Sequence, residues 1–173
     1  MTWNDQFLTL FRRCVEQYQN GNDDFHSYYE PEDLEFLQSI GYKPRELFDF
    51  VEDLVDGGSP TESTALLVAA ARRDYFLTVQ QGVLSEHEIS TDELPSKQDT
   101  LDGITYFPRI IAKAKAKLRG ELNPDIMFSC GGDRNFLRTH GDISPADFLR
   151  HVWAGGDDDT HIADYVRSQS SQA

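Results

Sequence analysis

Cysteine is scarce in this chain: Cys14 and Cys130 are the only two. Two cysteines cannot staple a disulfide scaffold, and a reducing, cytoplasmic setting is the simplest expectation. Long apolar runs are missing too. No stretch approaches the ~20 residues that span a bilayer. The first residues, MTWNDQFLTLFRRC, show no basic segment leading into an apolar run, so no signal peptide is expected. Positive charge is in short supply: 16 Lys and Arg stand against 30 Asp and Glu, for a net charge of −14. A nucleic-acid binder carries a basic footprint, and an anionic membrane surface attracts basic segments, so neither partner is expected. The chain also lacks a Gly-rich phosphate loop, a Ser-His-Asp order and a paired-carboxylate signature.

Apolar and aromatic residues are present in useful number. Hydrophobic content is 39%, with eleven Phe and seven Tyr, enough for a core. Their spacing is helical. Phe7, Leu10, Phe11, Cys14, Val15 and Tyr18 follow the i, i+3, i+4, i+7 rule over residues 2–20. Pro31 opens a helix through Leu34, Phe36, Leu37 and Ile40, and Pro44 opens the next through Leu47, Phe48, Val51 and Val55. A long helix is predicted over 59–81, with Ser59 or Thr61 as its N-cap. Residues 82–100 are polar and acidic without apolar period, and read as a linker or a strap laid over the surface.

The second half centres on residues 101–119, LDGITYFPRIIAKAKAKLR. Gly103 marks a turn, Pro108 sits in a first helical turn, and Gly120 stops the helix. Asp133 is placed to cap a short helix through Phe136 and Leu137. Ser144-Pro145 starts another, and the Asp157–Thr160 run caps the last, leaving the tail SQSSQA frayed.

The two halves match each other. Residues 7–41 align with 107–141 without a gap, pairing Phe7 with Phe107, Leu10 with Ile110, and Phe36-Leu37-Gly41 with Phe136-Leu137-Gly141. Self-similarity at a fixed offset marks duplicated structure. The expected fold is all-α: two tandem copies of a small helical unit packed as one compact bundle-like body of seven or eight helices. The expected organisation is an N-terminal repeat at 1–81, a linker or strap at 82–100 and a C-terminal repeat at 101–173. Each copy alone is expected to have too small a core to be stable.

Gly103, Pro108-Arg109, Lys113, Gly120, Cys130, Asp133-Arg134, Phe136-Leu137 and Gly141 together follow a family pattern. Over residues 95–168 the chain resembles a bacterial family known as domain of unknown function 5069. Ala112 departs from that pattern, which commonly has Asp there, and Phe107 stands where Leu is usual. The resemblance implies a small helical domain and no activity.

Three groups of residues carry candidate chemistry. Arg109, Lys113 and Lys117 recur at i, i+4, i+8, with Lys115 and Arg119 in a second row. Such a stripe can hold a phosphate or carboxylate, but a charged helix face is more often simply solvated. Cys130 with Asp133 and Arg134 has the surroundings of a reactive thiol, although a buried inert cysteine is the commoner outcome; a bond between Cys14 and Cys130 is not required by anything in the sequence. His151, Asp157–Asp159 and His161 lack the spacing of a metal motif, and no metal or cofactor is expected. Two functional readings follow. The first is a non-enzymatic interaction or regulatory module that docks a protein partner or a second copy of itself. The second is an anionic small-molecule binder or enzyme with a site between the repeats, using Arg109 and Lys113 with Cys130, Asp133 and Arg134 nearby.

Overall fold

The structure is a computed structural model and describes residues 1–171. The chain divides into two units, Met1–Leu84 and Ser85–Ala173. Among the described residues there are eight α-helices and one two-stranded hairpin.

The N-terminal unit holds α1 (Trp3–Gln19), α2 (Pro31–Ser39), α3 (Pro44–Gly57) and α4 (Glu62–Thr78). Thr2 caps α1 in a reciprocal box with Asp5, which satisfies two otherwise orphaned backbone donors. The apolar stripe of α1, Phe7, Leu10, Phe11 and Cys14, is buried, and α1 packs on α3 and α4. Aromatic edges lock the interior: Tyr28 meets Phe48 at 5.1 Å and Phe7 meets Tyr42 at 5.7 Å between ring centroids. The long helix is shorter than the sequence predicts. It starts after its cap Thr61 and ends at Thr78. The chain beyond it passes through Gln81 and Gly82, both in left-handed backbone, which no helix tolerates.

The C-terminal unit begins with an extended strap. Its Ile89 forms an isolated parallel bridge to Leu122, and Asn123 Nδ2 donates to the Ile89 carbonyl at 2.6 Å. The strap leads through a short 3-10 turn at Thr91–Glu93 into β1 (Thr100–Leu101) and β2 (Ile104–Thr105). Asp102 and Gly103 both have positive φ, the geometry of a two-residue hairpin turn. Then come α5 (Phe107–Arg119), α6 (Gly131–Thr139), α7 (Pro145–Gly155) and α8 (Asp159–Ser170). Helix α5 packs on α7 and on β1, and α7 packs on α8. Helix α8 runs to Ser170, so residues 168–170 of the predicted frayed tail are helical; Gln172 and Ala173 lie outside the described residues.

Helix α5 is the core helix of its unit. Phe107, Ile110, Ile111, Ala114, Ala116 and Leu118 are buried on more than one side. The basic stripe therefore does not form a solvated face. Lys113 and Lys117 are 4% and 2% exposed. Their positions on a helix enclosed by its neighbours carry them inward, whereas Lys115 reaches outward to Asp159 at 2.7 Å and Arg119 is exposed.

Candidate functional site

The site forms where α5, the loop before α6 and the strap come together. Lys113 projects from the middle of α5 and Asp133 from the first turn of α6. Their charges meet at 2.6 Å, with side chains 6% and 0% exposed. A buried pair of this kind persists only when its remaining hydrogen-bonding capacity is met. Here it is. Asp133 Oδ2 also accepts from the Ser129 backbone N–H at 2.8 Å, and Asp133 Oδ1 accepts from the Tyr106 hydroxyl at 2.8 Å. Asp133 is thus not the N-cap of α6. Cys130 holds the cap position without a side-chain bond, and the Asp133 carboxylate turns instead to the preceding loop and to α5. Burial, with the Asp133 carboxylate next to it, pushes the Tyr106 phenol well above its ordinary range, so it is a neutral donor to that carboxylate.

Two residues of this network sit in left-handed backbone without being glycine: Tyr106 at φ 72° and Ser129 at φ 67°. Backbone of this sort persists where the surroundings hold it. Tyr106 is the residue at which the hairpin turns into α5, and its N–H donates to the Asp99 carbonyl at 3.0 Å. Ser129 is held by its own N–H on Asp133 and by Arg134 Nη1, which donates to its carbonyl at 2.6 Å. Gly132 keeps the hydroxyl's path open, since a Cβ there would stand 3.2 Å from the Tyr106 oxygen.

In front of the pair lies a cavity of about 310 Å³, lined by Leu94, Lys97, Tyr106, Arg109, Lys113, Asp125, Ile126, Cys130 and Gly132. Leu94 and Lys97 belong to the strap, so residues 85–100 supply one wall. Arg109 Nη1 donates to the Pro95 carbonyl at 2.7 Å and holds that wall in place. The Lys113 ammonium, besides bonding Asp133, lies 3.3 Å from the Cys130 sulfur. Cys130 is half-buried and opens on the cavity, so it is not the fully buried cysteine that its residue type suggested. Both cysteines are free thiols.

Of the five residues singled out from sequence, Arg109, Lys113 and Cys130 line the cavity. Asp133 lies behind Lys113, and Arg134 braces the loop. All five lie in the C-terminal unit. Tyr106 and Lys97 were missed. Tyr106 carried no motif of its own, and Lys97 lay in a strap without periodicity. The one available signal was Asp102-Gly103, a hairpin pair that sets Tyr106 at the foot of α5. The His151 and His161 rings lie 6.5 Å apart, with His151 stacked on Tyr165. Among the described residues no group of three or more His, Cys, Asp or Glu is placed to hold a metal ion. Among the same residues no helix is long and apolar enough to cross a membrane.

Residues 91–173 match the family profile of the domain of unknown function DUF5069, and the C-terminal unit carries that domain. The match takes in the second half of the strap, the hairpin, α5–α8 and every residue of the cavity wall. No curated protein and no solved structure matches the chain.

Proposed function

We propose that the C-terminal unit binds a small anionic molecule in the cavity between α5 and the strap. The observation that carries this reading is the convergence of Lys97, Arg109 and Lys113 on one cavity in a chain of net charge −14. Asp133 offsets Lys113, and Asp125 lies on the rim. Arg109 spends one of its five donors on Pro95, and its planar fork suits a carboxylate or phosphate. The cavity has the size of a small-molecule site and mixes apolar walls, Leu94 and Ile126, with a few convergent polar groups. Thermal unfolding of the wild type and Arg109→Ala with inorganic phosphate and with succinate tests it. A ligand at a hundred times its Kd stabilises by about 2.7 kcal/mol, a shift of several degrees. A shift lost in Arg109→Ala supports the reading, and no shift with any small anion overturns it.

One observation favours an interaction module as a second reading. Leu77, Val79, Val83 and Leu84 are each at least 41% exposed within eight residues at the end of the N-terminal unit. A concentration-dependent dimer by sedimentation, dispersed by Val83→Lys, supports that role; a monomer at all concentrations removes the self-association form of it. Tandem duplication is the reading that best fits the element pattern. Each unit has four helices, and α2 and α6 are both nine residues long, offset by one hundred. Gly41 and Gly141, which follow them, both have positive φ and lie hard against the last helix of their own unit, at Phe76 and Gln169.

A further inference from the structure

We propose that Cys130 is a thiol-exchange site, at which the cavity takes a low-molecular-weight disulfide bearing carboxylates and captures half of it as a mixed disulfide. The inference rests on the anion-binding reading and adds a covalent step to it. Three observations carry it together. The Cys130 sulfur opens on a cavity able to hold a ligand. The Lys113 ammonium, itself fixed by Asp133, lies 3.3 Å from that sulfur and places a donor beside it. Two further cations, Arg109 and Lys97, stand on the same walls and suit the carboxylates of the incoming molecule.

The step balances without another reagent. The Cys130 thiolate attacks one sulfur of the disulfide. The bond between that sulfur and its partner breaks, and a new S–S bond forms to Cys130. The electron pair leaves with the second sulfur, which takes up from solvent the proton that Cys130 released. One disulfide is consumed and one is made, so no net oxidant is needed. Cys14 provides an internal contrast. It is fully buried in the N-terminal unit, and burial pushes its thiol up to about 12.

The test uses the full chain at neutral pH and physiological salt, with oxidised glutathione as the carboxylate-bearing probe and cystamine as its cationic counterpart. Peptide mass mapping is expected to place one glutathionyl group on Cys130 and none on Cys14. Glutathione disulfide should react at least about tenfold faster than cystamine, because Arg109 and Lys97 meet its carboxylates at short range and repel the diamine. Arg109→Ala should abolish that preference. Lys97→Glu, at an exposed position, should do the same even if Arg109→Ala fails to fold. No adduct, first modification at Cys14, or equal rates with the two probes overturns the proposal. S-methylglutathione, which cannot exchange, separates the two claims. If it raises the melting temperature of the wild type while no adduct forms, only the exchange step fails. If it produces no shift and no adduct forms, the anion-binding reading fails as well.

Discussion

Lys113 and Asp133 form a contact of consequence in the C-terminal unit, because Asp133 is fully buried and Lys113 nearly so. Asp133→Ala leaves an ammonium enclosed beside a tyrosine and a thiol, and takes the partner from Ser129 N–H and from the Tyr106 hydroxyl. Removal of one member of such a pair costs about 3–5 kcal/mol. Urea unfolding of Asp133→Ala should show that loss, and Lys113→Met combined with Asp133→Leu should recover part of it, since the Ser129 N–H and the Tyr106 hydroxyl stay unpaired; a double variant as unstable as the single one would refute the account of the pair. Asp49 on α3 gives a residue-scale prediction of opposite sign. Burial raises its carboxyl to about 6, against the pull of Arg45 at 2.8 Å. The folded state therefore holds this proton more tightly than the unfolded chain, whose carboxyl titrates near 4. The stability it gives is complete below that value and is lost as pH rises through 6. Asp49→Asn, neutral throughout, should gain on the wild type by up to about 3 kcal/mol between acid and neutral pH. Parallel melting curves of the two proteins across that range would contradict this.

At the scale of elements, packing depends on close approaches that only glycine allows. Gly141 has φ 101°, and a Cβ there would stand 2.6 Å from the Gln169 backbone carbon of α8. Gly141→Ala must push α8 off its seat as well as strain the turn. It should destabilise the C-terminal unit by more than about 2 kcal/mol and raise amide exchange in α8 ahead of α5. Uniform exchange across both helices would show that α8 is not held there. Most helices were legible because their signals are local: Pro31, Pro44 and Ser144-Pro145 at starts, Gly120 at a stop, Phe and Leu at helical period between them. Helix α5 was legible as a helix and misread as a surface. Its five cations outweighed Ala114 and Ala116 in the sequence pattern, and nothing local says that α7 and the hairpin enclose it. The strap's contacts with residues 121–123 and with Arg109 are likewise tertiary, and no periodicity could announce them.

At the scale of the whole molecule, each unit buries apolar side chains of its own sequence. Phe7, Leu10, Phe11, Leu47 and Val51 are buried in one, and Phe107, Ile110, Ile111, Phe148 and Leu149 in the other. Residues 85–173 form a compact unit, so expressed alone they should give a helical circular dichroism spectrum and a cooperative melt. A featureless melt would instead bear out the expectation drawn from sequence, that either half is too small to stand by itself. The net charge of −14 makes the cationic cavity wall a local exception, and long-range attraction of anions weak. Recognition then falls to short-range contacts with Arg109, Lys97 and Lys113. Amide chemical shifts of the full chain during titration with inorganic phosphate test this most directly. The account predicts saturable shifts confined to Tyr106, Arg109, Cys130, Gly132 and the strap near Lys97, abolished in Arg109→Ala. Shifts scattered over the surface, or unchanged in that variant, would contradict it.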